Sequence, residues 1–171
     1  MKVTTTIASP CGELVAIAES DGDDIALIAL EFPGRAPPAP DAVRDDQPFR
    51  AVRAQLDEYF AGKRRAFDLP LAPKGTDFQR DVWRALVAIP YGATTTYGAI
   101  ARSIGRPDSV RAVGAANGAN PIAIIVPCHR VIGKDGTLTG YGGGLPRKQL
   151  LLELEARVAG SQLALFARSD A

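Results

Sequence analysis

The stretch Tyr97–Gly118, YGAIARSIGRPDSVRAVGAANG, decides how the second half of the chain is read. Tyr97, Ile100, Ala101 and Ile104 share one face of a short amphipathic helix that ends at Gly105. Asp108 can cap a second helix running from about Ser109 to Gly118. Two short helices joined by Gly105-Arg106-Pro107 have the shape of a helix-turn-helix. On the second helix Val110, Val113 and Asn117 point one way, and Arg111, Ala115 and Gly118 roughly the other. The outward face thus carries one arginine among side chains too small to obstruct an approaching surface. A helix shaped only for solubility carries several charges. The alternative is an Ala and Gly face pressed on another helix, and the wheel alone leaves both readings open.

Upstream, Thr76-Asp77-Phe78-Gln79 fits a capping box, and Phe78, Val82, Leu86 and Ile89 keep a helical period until Pro90-Tyr91-Gly92. Ala72-Pro73-Lys74-Gly75 reads as a linker, so domains are expected at 1–74 and 75–171. The first begins with strands at Val3–Ala8, Glu13–Glu19 and Ile25–Phe32, separated by turn residues, which is a β-meander. A Pro-rich loop follows at 33–41, then a helix from about Gln47 to Ala61 and a short strand at Phe67–Leu71. A last helix spans about Pro146 to Ala159, with proline at its first position. The fold class is α/β in the α+β sense: a sheet-plus-helix domain, then a mostly helical one.

The 171 residues are 46% hydrophobic and 23% charged, as in a soluble globular protein. The apolar run Ile122–Val126 is far too short to span a bilayer, and threonines follow Lys2 where a signal peptide needs an apolar core. A cytoplasmic location is expected, in which Cys11 and Cys128 stay thiols. Residues 1–74 carry nine Lys/Arg against twelve Asp/Glu, and residues 75–171 eleven against seven. An anionic partner would therefore meet the second half.

Ile124–Gly133, IIVPCHRVIG, sets Cys128 beside His129, the one histidine of the chain. Three readings apply to the cysteine. A buried core thiol is the usual fate of free cysteine, yet here the apolar run stops at Pro127 and His129-Arg130 need water or partners. A metal site needs three or four ligands, and no paired Cys or His spacing exists. A nucleophile needs a base, and in an extended segment neighbouring side chains diverge. His129 therefore reaches Cys128 only if the chain turns there or a water bridges them. Of the carboxylates that could orient the imidazole, Glu153 lies with Gln149 and Arg157 on the polar side of the last helix. Glu155 lies between Leu151 and Leu152, at the border of the apolar stripe, where a carboxylate needs a partner.

These motifs together resemble the methylated-DNA–protein-cysteine methyltransferases, the O6-alkylguanine-DNA alkyltransferases, in their bacterial form. The resemblance covers about residues 75–160. It rests on Arg111-Ala112-Val113-Gly114, Asn120-Pro121, Pro127-Cys128-His129-Arg130-Val131, and Gly140-Tyr141-Gly142-Gly143-Gly144-Leu145 followed by the leucine-rich helix with Glu155. It implies a ribonuclease-H-like first domain and a winged-helix-like second one. It implies repair of double-stranded DNA by irreversible transfer of an alkyl group from O6 of guanine, and from O4 of thymine, to Cys128, once per molecule and with nucleotide flipping.

By the same resemblance His129 and Glu155 relay the thiol proton, Asn120 braces the turn, and Tyr97 donates to the departing base and presses on the neighbouring phosphate. Arg111 fills the space the base leaves, with Ala112, Gly114 and Ala115 on the DNA-facing side. Val131, Tyr141, Gly142, Gly143 and Asn117 line the pocket, with the Val131 carbonyl on the guanine edge. Some relatives carry serine where this chain has Gly142, so the pocket here keeps a backbone donor but lacks that hydroxyl. No cofactor is expected, and no zinc, because the first domain offers Cys11 and no histidine. The chain is expected to act as a monomer, with room for cooperative binding along DNA. The alternatives are a damage sensor that binds without repairing, against which Cys128 argues, and a regulator that signals through a modified Cys128.

Overall fold

The computed structural model describes residues 1–160, so the end of the expected second domain, 161–171, lies outside the described residues. The chain divides into two compact units.

The first unit comprises Met1–Lys74 and Pro121–Ala123. Strands β1 (Lys2–Ile7), β2 (Leu14–Asp21) and β3 (Asp24–Glu31) form the meander, and β4 (Val43–Arg44) adds parallel to β1, giving the order β3-β2-β1-β4. Alternation puts Val3, Thr5 and Ile7 inside. The β2–β3 turn needs Gly22, at φ 66°, in the left-handed region. Helix α1 (Arg50–Phe60) buries Val52, Leu56 and Tyr59; the expected helical start at Gln47 is a 3-10 turn, Gln47–Phe49, that holds Pro48.

The strand expected at Phe67–Leu71 is a single bridge between Leu71 and Leu27, because Pro70 has no N–H to continue a ladder. Pro121–Ala123 meets the same strand, with Leu30 N donating to Pro121 O at 2.9 Å and Ala123 N to Leu30 O at 2.8 Å.

The second unit comprises Gly75–Asn120 and the chain from Ile124. Helix α2 (Asp77–Val87) starts at a complete capping box on Thr76 and Gln79. Its Trp83 donates from Nε1 to Ala116 O at 2.9 Å, and its ring lies 2.5 Å from where a Cβ on Gly75 would stand, so only glycine fits there. Strand β5 (Thr95–Thr96) leads into α3 (Tyr97–Ser103), whose N-cap Thr96 accepts from Ala99 N. Gly105, at φ 73°, turns the chain toward α4 (Val110–Gly118).

Helices α3 and α4 are the helix-turn-helix, with two corrections. Ser109 rather than Asp108 stands at the N-cap and makes no side-chain cap bond. The buried face of α4 is Val113, Ala116 and Asn117, because Ala116 closes on Trp83, while Val110 is 41% exposed. Strand β6 (Val131–Ile132) pairs in parallel with β5, Thr95 opposite Val131. This pairing puts the segment after His129-Arg130 beside the entry to Tyr97. Helix α5 (Leu145–Ala159) ends on Gly160 in the left-handed conformation.

Candidate active site

The apolar run before Pro127 is a buried turn. Ile124 sits at φ 72°, in the left-handed region that a β-branched residue enters at a penalty of about 1–3 kcal/mol. Burial of the whole run from Ile122 to Arg130 holds it there. Asn120 braces the turn by donating from Nδ2 to Val126 O at 2.8 Å. Cys128 N bonds Val126 O at 2.8 Å and Arg130 N bonds Pro127 O at 3.0 Å, so Cys128–Arg130 is a 3-10 turn rather than extended chain. Cys128 is 7% exposed.

His129 points into the unit and is fully buried. Its Nε2 lies 2.7 Å from Glu155 Oε2. A carboxylate accepts, so Nε2 carries the hydrogen and Nδ1 keeps its lone pair, which no described protein group takes up. Arg130 grips the same carboxylate in a fork, Nε to Oε1 at 2.7 Å and Nη2 to Oε2 at 3.1 Å. Its Nη1 donates to Ile89 O at 2.8 Å, and its guanidinium lies 5.6 Å from the Tyr91 ring centroid. Burial alone would push the Glu155 carboxyl up, but His129 and Arg130 outweigh it and hold it well below the usual carboxylate range. Burial pushes His129 down; Glu155 resists this, while Arg130 and Lys148 add to it.

Lys148 is the second residue that sequence reasoning missed. It is fully buried, with Nζ donating to Val131 O at 2.6 Å, Thr139 O at 2.6 Å and Gly140 O at 3.2 Å. Burial pushes it down to about 8, against a Cys128 charge that pulls it up. The wheel held the signal for it: Lys148 precedes Glu155 by seven residues, so both face the same way. Arg130 gave no periodic signal. With His129 neutral, the cluster holds two cations, Arg130 and Lys148, and one carboxylate, Glu155.

Tyr97 stands between α4 and the glycine loop. Its hydroxyl donates to Thr139 O at 3.4 Å, a Cβ on Gly140 would lie 3.7 Å from the Tyr97 hydroxyl oxygen, and a Cβ on Gly114 would lie 3.9 Å from Tyr97 Cδ1. Val131 and Tyr97 therefore share this corner through Lys148 and Thr139, and the Val131 carbonyl already accepts one bond there. Tyr141 and Gly143 are half-buried and Gly142 exposed; Gly143 O accepts from Arg147 Nη1 at 3.2 Å. Asn117 is buried at 5% exposure, and its Oδ1 bonds no described group. Arg111, Ala112 and Ala115 lie exposed on α4, with Gly114 half-buried. Among the described residues no group of three or more His, Cys, Asp and Glu could hold a metal ion, and no helix is long and apolar enough to cross a membrane.

A sheet-plus-helix unit, a helix-turn-helix unit, and a cysteine on a turn braced by a buried His–Glu pair define a class of proteins that carry a reactive thiol to a nucleic acid. Residues 77–157 match the family described as 6-O-methylguanine DNA methyltransferase, DNA binding domain, and residues 2–73 its ribonuclease-like domain. The chain belongs to this family. It is 50% identical over 163 residues to the methylated-DNA–protein-cysteine methyltransferase of Mycolicibacterium paratuberculosis, covering 94% of this chain and 96% of that one. With the Methanosarcina barkeri protein of the same name the identity is 51% over 152 residues, 87% and 94% of the two chains. The crystal structure of Mycobacterium tuberculosis O6-methylguanine methyltransferase superposes with a TM-score of 0.83 at 49% identity, over 98% and 100% of the chains. A structure of Mycobacterium tuberculosis OGT in complex with DNA gives 0.82 at 50% identity, over 90% and 92%.

Proposed function

We propose that Cys128 is the acceptor through which this chain repairs alkylated DNA, taking the alkyl group from O6 of guanine onto its own sulfur. One observation carries the assignment. Cys128 sits on the turn whose next residue, His129, is hydrogen-bonded to Glu155 and keeps Nδ1 open as a base. The thiol proton passes to Nδ1 through one water, since a neighbouring side chain on so tight a turn does not meet the sulfur directly. The sulfur–carbon bond forms as the carbon–O6 bond breaks, and its electron pair goes to O6. Tyr97 donates a proton to the leaving base, and the thiol proton restores the balance. Among the described residues none offers a route back from the thioether to the thiol, so each molecule acts once.

The exposed face of α4, with Arg111 among Ala112, Gly114 and Ala115, suits close approach to a duplex, and Arg111 fills the gap left by the flipped base. That a similar protein is solved in complex with DNA supports DNA as the partner. Val131, Tyr141, Gly142, Gly143 and Asn117 form the base pocket, which extends to O4-alkylthymine. The units act as a ribonuclease-like domain, 1–74, and a DNA-binding and transfer domain, 75–171. The chain works as a monomer in the cytoplasm, where both thiols stay reduced.

The test is Cys128→Ser mixed with a duplex carrying O6-methylguanine. It should bind the duplex and leave the methyl on the base, whereas the unaltered chain removes it stoichiometrically. Binding without removal by the unaltered chain would instead make the protein a sensor.

A further inference from the structure

Helices α2 and α3 treat their arginines differently. On α2, Asp77 and Asp81 stand three residues before Arg80 and Arg84 and pair with them. On α3 the residues three and four before Arg102 are Ala99 and Gly98. Among the described residues no carboxylate forms an ion pair with Arg102, which is exposed.

A cation in the last turn of a helix is favoured by the helix dipole, which would explain an arginine that reached forward to the terminal carbonyls. Those carbonyls are taken. Ile100 O accepts from Ile104 N and Ser103 Oγ, Ala101 O from Arg106 N, and Arg102 O from Gly105 N. The side chain leans the other way, toward the N-terminus, as helical side chains do. Its Nη1 lies 3.5 Å from where a Cβ on Gly98 would stand. Gly98 follows Tyr97 and has no side chain to cover the guanidinium. A Cβ on Gly114 would in turn lie 3.9 Å from the Tyr97 ring, and Gly114 is one helical turn beyond Arg111 on α4. An unpaired guanidinium, Tyr97 and Arg111 thus follow one another along the helix-turn-helix.

We propose that Arg102 binds a backbone phosphate beside the flipped nucleotide, the one that the family resemblance sets against Tyr97. A guanidinium without a carboxylate keeps its donors for a ligand, and phosphate matches it in charge and in forked geometry. A phenol presses on a phosphate without neutralising it, and the Tyr97 hydroxyl already donates to Thr139 O. Arg102 supplies the missing charge and steadies the strand while the base turns out. The contact carries no sequence information, which suits a lesion found in any sequence.

This inference rests on the reading of the chain as one that takes a base out of a duplex. The test uses the full chain and O6-methylguanine duplexes, with a neutral methylphosphonate replacing one flanking phosphate at a time. Affinity is measured in the Cys128→Ser background, so that the lesion stays in place. At one flanking position the methylphosphonate should weaken binding about fivefold when Arg102 is present and less than twofold in Arg102→Ala. Arg102→Ala should also reduce the slope of log affinity against log salt by about 0.9, the share of one phosphate contact. Arg102→Lys keeps the charge and should keep most of that slope. Arg84→Ala removes the same charge from α2 and should keep all of it. With Cys128 intact, Arg102→Ala should slow transfer from the duplex and leave transfer from free O6-benzylguanine unchanged. Methylphosphonate losses that are the same with and without Arg102, or equal losses of slope for Arg102→Ala and Arg84→Ala, overturn this inference alone. An unaltered chain that takes no methyl from the duplex overturns the reading beneath it and the inference together.

Discussion

His129 Nε2 and Glu155 Oε2 stand 2.7 Å apart, with the two side chains 0% and 1% exposed. A hydrogen-bonded pair so enclosed is not kept for its net stability, since burying the Glu155 charge offsets most of the attraction. Its effect is to fix the imidazole tautomer, leaving Nδ1 as the base. Glu155→Gln removes the charge that supports the imidazolium and leaves Arg130 uncompensated. Single-turnover transfer should slow about 10²- to 10⁴-fold, as when general-base help is lost. Thiol titration should show the Cys128 proton bound more tightly. Glu153 bonds Gln149 on the open side of α5, so Glu153→Gln should leave both measurements within error. A reversed pattern would refute the relay.

Arg130 ties three elements together: the reactive turn, Glu155 on α5, and Ile89 O just after α2. Arg130→Met removes the fork from the Glu155 carboxylate and the Nη1 donor from the Ile89 carbonyl. Denaturant unfolding should show a loss of about 3–5 kcal/mol, the usual result of breaking a buried pair. Arg130→Lys keeps the charge without the fork and should lose less. Equal losses for the two would mean that charge, not geometry, is what the site needs.

Arg111 lies on the exposed face of α4. Arg111→Ala should slow transfer from duplex DNA far more than transfer from free O6-benzylguanine, which has no stack to leave. Stability should change by no more than about 0.5 kcal/mol, as for an exposed position. Matching losses on the two substrates would show that Arg111 does not act on the duplex.

The buried relay makes stability depend on pH with a definite sign. His129 is held below its ordinary 6.5 and Glu155 well below its ordinary 4.5. In each case the unfolded chain binds a proton that the fold refuses. Their contribution is complete above 6.5 and is lost on acidification, through His129 first and Glu155 below 4.5. Lys148, pushed down to about 8 from 10.5, follows the same rule on the alkaline side: stability from this group rises between those values. Urea midpoints should therefore fall from pH 6.5 to pH 4, and His129→Gln should flatten the upper part of that fall. A midpoint that is flat in the unaltered chain would contradict the buried neutral imidazole.

Much of the fold was legible because its signals are local. Thr76 and Gln79 form the capping box that their spacing announces, and the break at Gly105 does separate α3 from α4. The helix wheel separated Glu155 from Glu153, and the structure buries the first and leaves the second half-exposed. Other features leave no periodic trace. A short apolar run reads alike as a strand or as a buried turn, and Ile124 makes it a turn. Strands β4, β5 and β6 have two residues each, too few to show alternation. Arg130 and Lys148 carry charges that composition assigns to the surface; only the convergence of Glu155, Ile89, Val131 and Thr139, distant in sequence, makes room for them inside.

The central claim is that one particular sulfur takes the alkyl group. The direct measurement is peptide mass spectrometry after mixing the full chain with a duplex containing O6-methylguanine. The account predicts one methyl on the peptide that holds Cys128 and none on the peptide that holds Cys11. An intact chain whose Cys128 stays unmodified would contradict it.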